Sequence, residues 1–313
     1  MSLTINKINM QYYQRVEAPS INNLIPVADN SNPFQVINGN RLLQPIRSST
    51  FNTSANFVNN KTGAMLIIIT NSSFYSNPVI NRLSIDSSGL QTYTPENAGN
   101  IFSHSVSINY SRKYRAKNGF SFGYNTVFFG SYDFSRVLID ENSFTANQFS
   151  QNISLSINLN FNNKVEILPQ YRIGLSQSRF PASNKILNNF NLVTNDIGGS
   201  IIYRPSTSIA ITTNFRYIQQ SVSSPIVPPN SFVTNADITY SFLQSRRAQL
   251  KLYLNDVFNT NRGVTGSITE RATSVTNSNI LNRYFLLSFY YDIRDWSKRK
   301  IESGEISNKL FRF

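Results

Sequence analysis

Along most of this chain apolar residues recur at every second position. The least ambiguous run is Ile153, Leu155, Ile157, Leu159 and Phe161, which alternate with Ser154, Ser156, Asn158 and Asn160. A period of two puts the first set on one face of an extended strand and the second on the other. Leu250, Leu252 and Leu254 repeat the pattern against Gln249, Lys251 and Tyr253, as do Phe285, Leu287, Phe289 and Tyr291 against Leu286, Ser288 and Tyr290. The alternation predicts about twelve strands, near 3–15, 47–58, 64 to the mid-seventies, 105–111, 120–128, 153–161, 165–175, 197–203, 209–217, 232–242, 248–255 and 281–294. The third is apolar on both faces, so the pattern does not assign its inside.

The connections sort into two classes. Those near 59–62, 112–118, 161–164, 204–207 and 244–247 are short, and those near 16–46, 78–98, 137–144, 180–187, 221–231 and 260–280 are expected to be longer. Strict alternation of the classes sends every short turn to one end of the strands and every long loop to the other. Transmembrane barrels have that asymmetry, with short periplasmic turns and longer extracellular loops. The fold class expected is therefore all-β, an antiparallel transmembrane β-barrel.

Charge within the strands is a second test. Glu166, Arg172, Arg216, Asp237, Lys251 and Asp292 all take the polar parity, whereas Asp256 shares parity with Leu254 and implies a bulge or a strand end there. An Arg or Lys facing lipid near the midplane would cost roughly 2–4 kcal/mol, so the segregation is expected if the apolar face meets hydrocarbon.

Composition narrows the class further. Apolar residues make up 40 % of the 313 positions and charged residues only 14 %, so the water-facing surface is built mostly from neutral polar groups. No apolar run reaches the roughly 20 residues of a spanning helix. The net charge of +13 is gathered in turns, at Arg112, Lys113, Arg115 and Lys117, at Arg246 and Arg247, and at Lys298, Arg299 and Lys300. Short clusters at one end of the strands suit solvated turns or anionic lipid headgroups and not a nucleic acid, which is not expected as a partner. The absence of cysteine decides little. The first residues read as a strand under way and not as an export signal, which is expected if the chain is the later part of a longer polypeptide.

Several segments then carry a resemblance. Ala18-Pro19-Ser20-Ile21-Asn22-Asn23-Leu24, Asp29-Asn30-Ser31-Asn32-Pro33 and Gly39-Asn40-Arg41-Leu42-Leu43-Gln44-Pro45 resemble the loop of TonB-dependent outer-membrane receptors in which a Gly-Asn-Pro-x-Leu-x-Pro-Glu motif opens a strand. Arg41 stands for the motif's Pro and Ile46 for its Glu. Leu254-Asn255-Asp256-Val257-Phe258-Asn259 resembles that family's Asn/Asp-x-Phe-Asn signature in the penultimate strand, and the aromatic last strand is similar to its C-terminus. The likeness is to the outer-membrane β-barrel proteins of Bacteroidota and covers essentially residues 1–313. It implies a 22-stranded barrel with an N-terminal plug that contacts TonB. Neither plug nor TonB box is read here, so the expectation is a C-terminal barrel portion in the outer membrane.

The function so implied is uptake of a bulky nutrient, with TonB reached only through the plug. Ligand contact would fall to loop residues such as Tyr93, Phe180 or Arg262 and to lumenal ones such as Arg172 and Arg216, although no ligand-binding residue is assigned from sequence. The chain is not expected to be an enzyme. Its one histidine, His104, lies on an apolar parity, and neither a cofactor site nor a metal-ligand cluster is expected. Two rivals remain: a self-contained 12-stranded outer-membrane pore and a soluble β-sandwich.

Overall fold

The computed structural model describes residues 4–116, 118–181, 187, 189–222, 230–261, 264–268, 273–279 and 281–292. Twelve strands form the main path of a sixteen-stranded sheet. In chain order they are β1 (Thr4–Glu17), β4 (Ile46–Asn59), β5 (Ala64–Ser76), β8 (Ile101–Arg115), β9 (Phe120–Ile139), β10 (Asn142–Phe161), β11 (Val165–Arg179), β12 (Phe190–Tyr203), β13 (Ile209–Val222), β14 (Asn230–Phe242), β15 (Ala248–Asn255) and β18 (Tyr284–Tyr291). Each pairs antiparallel with its predecessor on the path. Four strands lie off it: β2 (Asp29–Asn32), β3 (Gln35–Ile37), β6 (Val79–Ile85) and β7 (Gln91–Asn97). A separate hairpin joins β16 (Val264–Ile268) to β17 (Thr273–Asn277). Among the described residues helix is confined to a single turn at Ile21–Leu24, capped by Ser20, and a 3-10 turn at Gln244–Arg246.

The path does not close, and β1 and β18 are its two edges. Both carry exposed apolar side chains, from Met10 and Tyr12 on one to Phe285 and Leu287 on the other.

Register assigns the faces. Ile153 pairs with Phe128 and Ile173, Ile238 with Ile211 and Leu252, and Leu252 with Leu287, so the apolar residues of neighbouring strands share one face, with Asn195 opposite Ile173 a polar break in it. Their side chains are largely exposed, with Ile153 at 47 %, as expected of a surface made for lipid. β5 is now assigned through its partners. Leu66 and Ile68 lie beside Tyr110 and Ile108 on the apolar face, which turns Met65, Ile67 and Ile69 toward the other.

Aromatic pairs mark two levels along the strands. Phe120 meets Phe161 near the short turns, and Tyr132 meets Phe149 farther along. Residues 150–160 between these levels match the roughly 9–11 residues with which a tilted strand crosses hydrocarbon.

The short turns fall where the pattern predicts them, except that Arg112, Lys113 and Arg115, read as part of a turn, still belong to β8, where they pair with Tyr124, Gly123 and Ser121. At Asn162 and Asn163 both residues have positive φ, a conformation that Asn tolerates. One long connection does not. The segment 137–144, expected as a longer loop, is a two-residue turn at Asp140 and Glu141, because β9 and β10 both continue well past the outer aromatic level. Alternation there gives way to Val137, Leu138 and Ile139, which are buried on both faces.

The reason is a small core at the long-loop end. Val137, Ile139 and Ala146 pack with Phe180 and Leu187 and, at the margin, Phe144. The β6–β7 hairpin lies against it, Leu83 facing Ile139 in a parallel bridge, and β3 adds to β7 in parallel. A ledge is thus folded from the long connections, including the small hairpin that the sequence allows within 78–98.

Its polar clamp is Arg82, whose guanidinium donates to both Glu96 oxygens at 2.7 Å and to the carbonyls of Asp140 and Asn142. The Arg82 hydrogen bonds hold the Glu96 carboxyl below the ordinary carboxylate range, against a smaller opposing effect of burial. A lowered folded-state value means that this contribution to stability is present above the ordinary value and is lost as pH falls through the lowered one. Protection of 79–97 against hydrogen exchange, taken relative to the intrinsic rate at each pH, should therefore fall on acidification below the ordinary carboxylate range, while Glu96→Gln, already unable to ionise, shows no such step. Equal acid sensitivity of the two proteins would contradict the clamp.

A lumenal candidate site

The concave, polar face is built by the residues between the apolar ones. Ser154 pairs with Arg172, and Arg172 with Asp196, across β10, β11 and β12. Arg216 on β13 reaches back to Asp196 with two hydrogen bonds, Nε to Oδ1 at 3.1 Å and Nη2 to Oδ2 at 2.8 Å. This planar, two-point match of guanidinium and carboxylate fixes both side chains. Gly198 lies opposite Arg216 in the register, and a Cβ there would come within 3.1 Å of the Phe215 carbonyl.

Around these charges lies a cavity of about 840 Å³. Its walls include Ser154, Ser156, Gln170, Ser200, Asn214 and Asn235, all hydrogen-bonding groups without charge. Two further ion pairs flank it, Lys251 with Asp237 at 3.3 Å and Arg204 with Glu166 at 3.4 Å. Of the charges read from sequence as lying on the polar parity, Glu166, Arg216, Asp237 and Lys251 meet partners in ion pairs on one face, Asp292 lies just past the end of β18 with its N–H on the Arg247 carbonyl, and Arg172 stands apart. That residue has an exposed side chain and influences Asp196 only through space.

Farther up the same face a polar ladder crosses β4, β5, β8 and β9. Asn71 donates to Asn52, Thr50 meets Ser73 at 3.1 Å, and Ser103 donates to Asp133. Beyond it the ledge core sits on the concave side, since Val137, Ile139 and Ala146 share the parity of Asp133 and Ser135.

Not every residue singled out in the sequence belongs here. Arg172 and Arg216 do. Phe180, read as a loop residue, is 8 % exposed and fills the ledge core instead. Tyr93 lies on β7 with its hydroxyl on Gln91, so it belongs to the ledge. Arg262 lies outside the described residues. His104 faces outward, with its Nδ1 2.7 Å from the Ser72 hydroxyl and its ring stacked on Phe102. Among the described residues no carboxylate orients that ring, and no cluster of His, Cys, Asp and Glu could hold a metal. Asp196 was missed. Its signal was available, since it keeps the parity of Thr194 and opposes Arg172 once the register is known.

Asp256 resolves differently from the other charges. β15 ends at Asn255, and Asp256 opens a turn with φ +48°. Its buried carboxylate accepts from the backbone N–H groups of Thr260 and Asn261, while its own N–H donates to Asn235. Phe258 stacks on Phe232, and the Asn259 side chain accepts from Arg283 N–H. The Asn-Asp-Val-Phe-Asn signature is thus a knot that ends one strand and aims the long loop, of which Asn261 touches the cavity.

No curated protein matches the chain. Among solved structures, the beta domain of the Bordetella autotransporter BrkA aligns over 91 % of this chain and 97 % of that one, at 8 % identity and a TM-score of 0.28. The profile of the outer membrane protein beta-barrel family matches residues 2–197, well over half of the sequence. With its antiparallel strands, lipid-suited outer face and polar inner one, the chain is an outer-membrane protein and belongs to the outer membrane protein beta-barrel family.

Proposed function

We propose that the chain is a wall segment of a transporter of the TonB-dependent receptor type, admitting a bulky polar nutrient across the outer membrane. The observation that carries this reading is the polar cavity on the concave face, between strands whose opposite face is built for hydrocarbon. TonB would act through a plug contributed by a further segment, and that segment's strands would occupy the edges at β1 and β18. Anionic headgroups, not nucleic acid, would meet the basic residues at the short-turn end of the strands, Arg112 and Lys113 in the last residues of β8 and Arg246 and Arg247 in the turn before β15. The reading assigns no catalysis: the Ser72–His104 contact looks toward lipid and lacks an orienting third group.

The alternative is a self-contained 12-stranded pore. One observation favours it: the path has an even number of antiparallel strands, so β1 and β18 run antiparallel and could pair. Reconstitution of the purified chain in liposomes separates the two. Exposed backbone groups are not tolerated in hydrocarbon, so a wall segment alone should give neither heat-resistant monomers nor discrete conductance. Stable monomeric channels would overturn the proposal in favour of the pore.

A further inference from the structure

We infer that the concave cavity is an anion-selective subsite for an acidic oligosaccharide, with Arg172 as the group that receives its carboxylate. The inference rests on the transport reading and adds the chemistry of the cargo. Asp196 is occupied at both oxygens by Arg216, so this pair is close to neutral toward a ligand. Arg172, directly opposite Asp196 in the register, is the surplus cation of the cavity and has an exposed side chain. A guanidinium in that position accepts a carboxylate in a planar, two-point geometry.

The rest of the lining chooses among anions. Ser154 and Ser156 on one side and Asn214 and Asn235 on the other can each donate and accept, as sugar hydroxyls do. Among the described residues that line the cavity from the concave face, only Ile218 and Val233 are apolar, which offers little to the side chains of a peptide. About 840 Å³ lies within the range of roughly 300–1,000 Å³ typical of sites that enclose a small ligand. Lipid headgroups are excluded as the source of the acid, because the cavity opens on the face opposite the lipid-suited one.

Asp196 gives the proposal a distinctive signature. It both neutralises Arg216 and repels an incoming carboxylate, so its removal should strengthen binding. Calorimetry on the full chain in neutral detergent micelles, with trigalacturonate as probe and maltotriose as its neutral counterpart, is the test. The parent chain should bind trigalacturonate at least about tenfold more tightly than maltotriose, a difference expected of one charge-assisted contact. Arg172→Gln should abolish that preference, and the isosteric Asp196→Asn should increase it. Equal affinity for the two sugars, no binding of either, or tighter binding of triglutamate would each overturn the inference. The parent comparison needs no variant to fold. Because micelles do not demand a closed wall, the two tests are independent: preference together with stable monomeric channels leaves this subsite standing when the wall-segment reading fails, and neither preference nor channels does the reverse.

Discussion

Leu155→Arg is expected to block stable membrane insertion, while Asn158→Arg inserts as the parent chain does. Leu155 lies on β10 midway between Phe149 and Phe161, the aromatic residues that mark the two levels, and its outward side chain is 36 % exposed. An arginine at that depth costs about 2–4 kcal/mol, and among the described residues no strand carboxylate lies on its face to relieve it. Asn158 is three residues away on the opposite parity, and its amide already donates to Glu166 at 3.1 Å. An arginine there finds a carboxylate and the polar lumen. Flotation with vesicles and protease protection read the difference, and equal insertion of the two variants would refute the assignment of the faces.

Asp256→Ala should be the most damaging single change in the loops. Its carboxylate is fully buried and receives two backbone N–H groups at 3.0 Å each, together with the Thr260 hydroxyl at 3.4 Å. Removing the acceptor leaves those donors buried and unpaired, at about 1–3 kcal/mol for each. Alanine also adds strain at a left-handed φ that Asp and Asn tolerate. A loss of about 3 kcal/mol or more is expected in urea unfolding in micelles, with Asp256→Asn losing much less because one oxygen remains. A midpoint unchanged by Asp256→Ala would show that the knot carries no stability.

The strands were legible in the sequence wherever one face meets a uniform medium. Residues 153–161 and 248–255 alternate cleanly because lipid lies on one side and polar groups on the other. Legibility failed where that contrast ends. Val137 to Ile139 are buried on both faces, so their parity says nothing, and the ledge they anchor depends on partners 40 to 60 residues away, such as Leu83 and Phe180. β5 was ambiguous for a related reason, its apolar residues on the concave face opposing Val58, Asn56 and Ser54, and only register could place them. Among site residues, Arg172 and Arg216 were visible as charges out of keeping with a membrane. Their relation to Asp196 required knowing which strands are neighbours and by what offset.

The order in which the path strands pair also bears on how the sheet comes into being. Each pairing joins strands consecutive along the path, and the junctions differ greatly in the chain they must close: a few residues between β8 and β9, β9 and β10, and β10 and β11, against 18–45 before β4 and 256–283 before β18. Closure entropy rises with the length of the intervening loop, and contacts near in sequence form first. β8 to β11, among the longest strands and joined by some of the tightest turns, are therefore the natural nucleus. Growth from it proceeds one hairpin at a time in both directions, each arrival satisfying the edge left by the last. The outermost strands, reached across the longest loops, come to rest last, so a folding helper that grips a growing edge would find β1 and β18 still free when the centre of the sheet is already set.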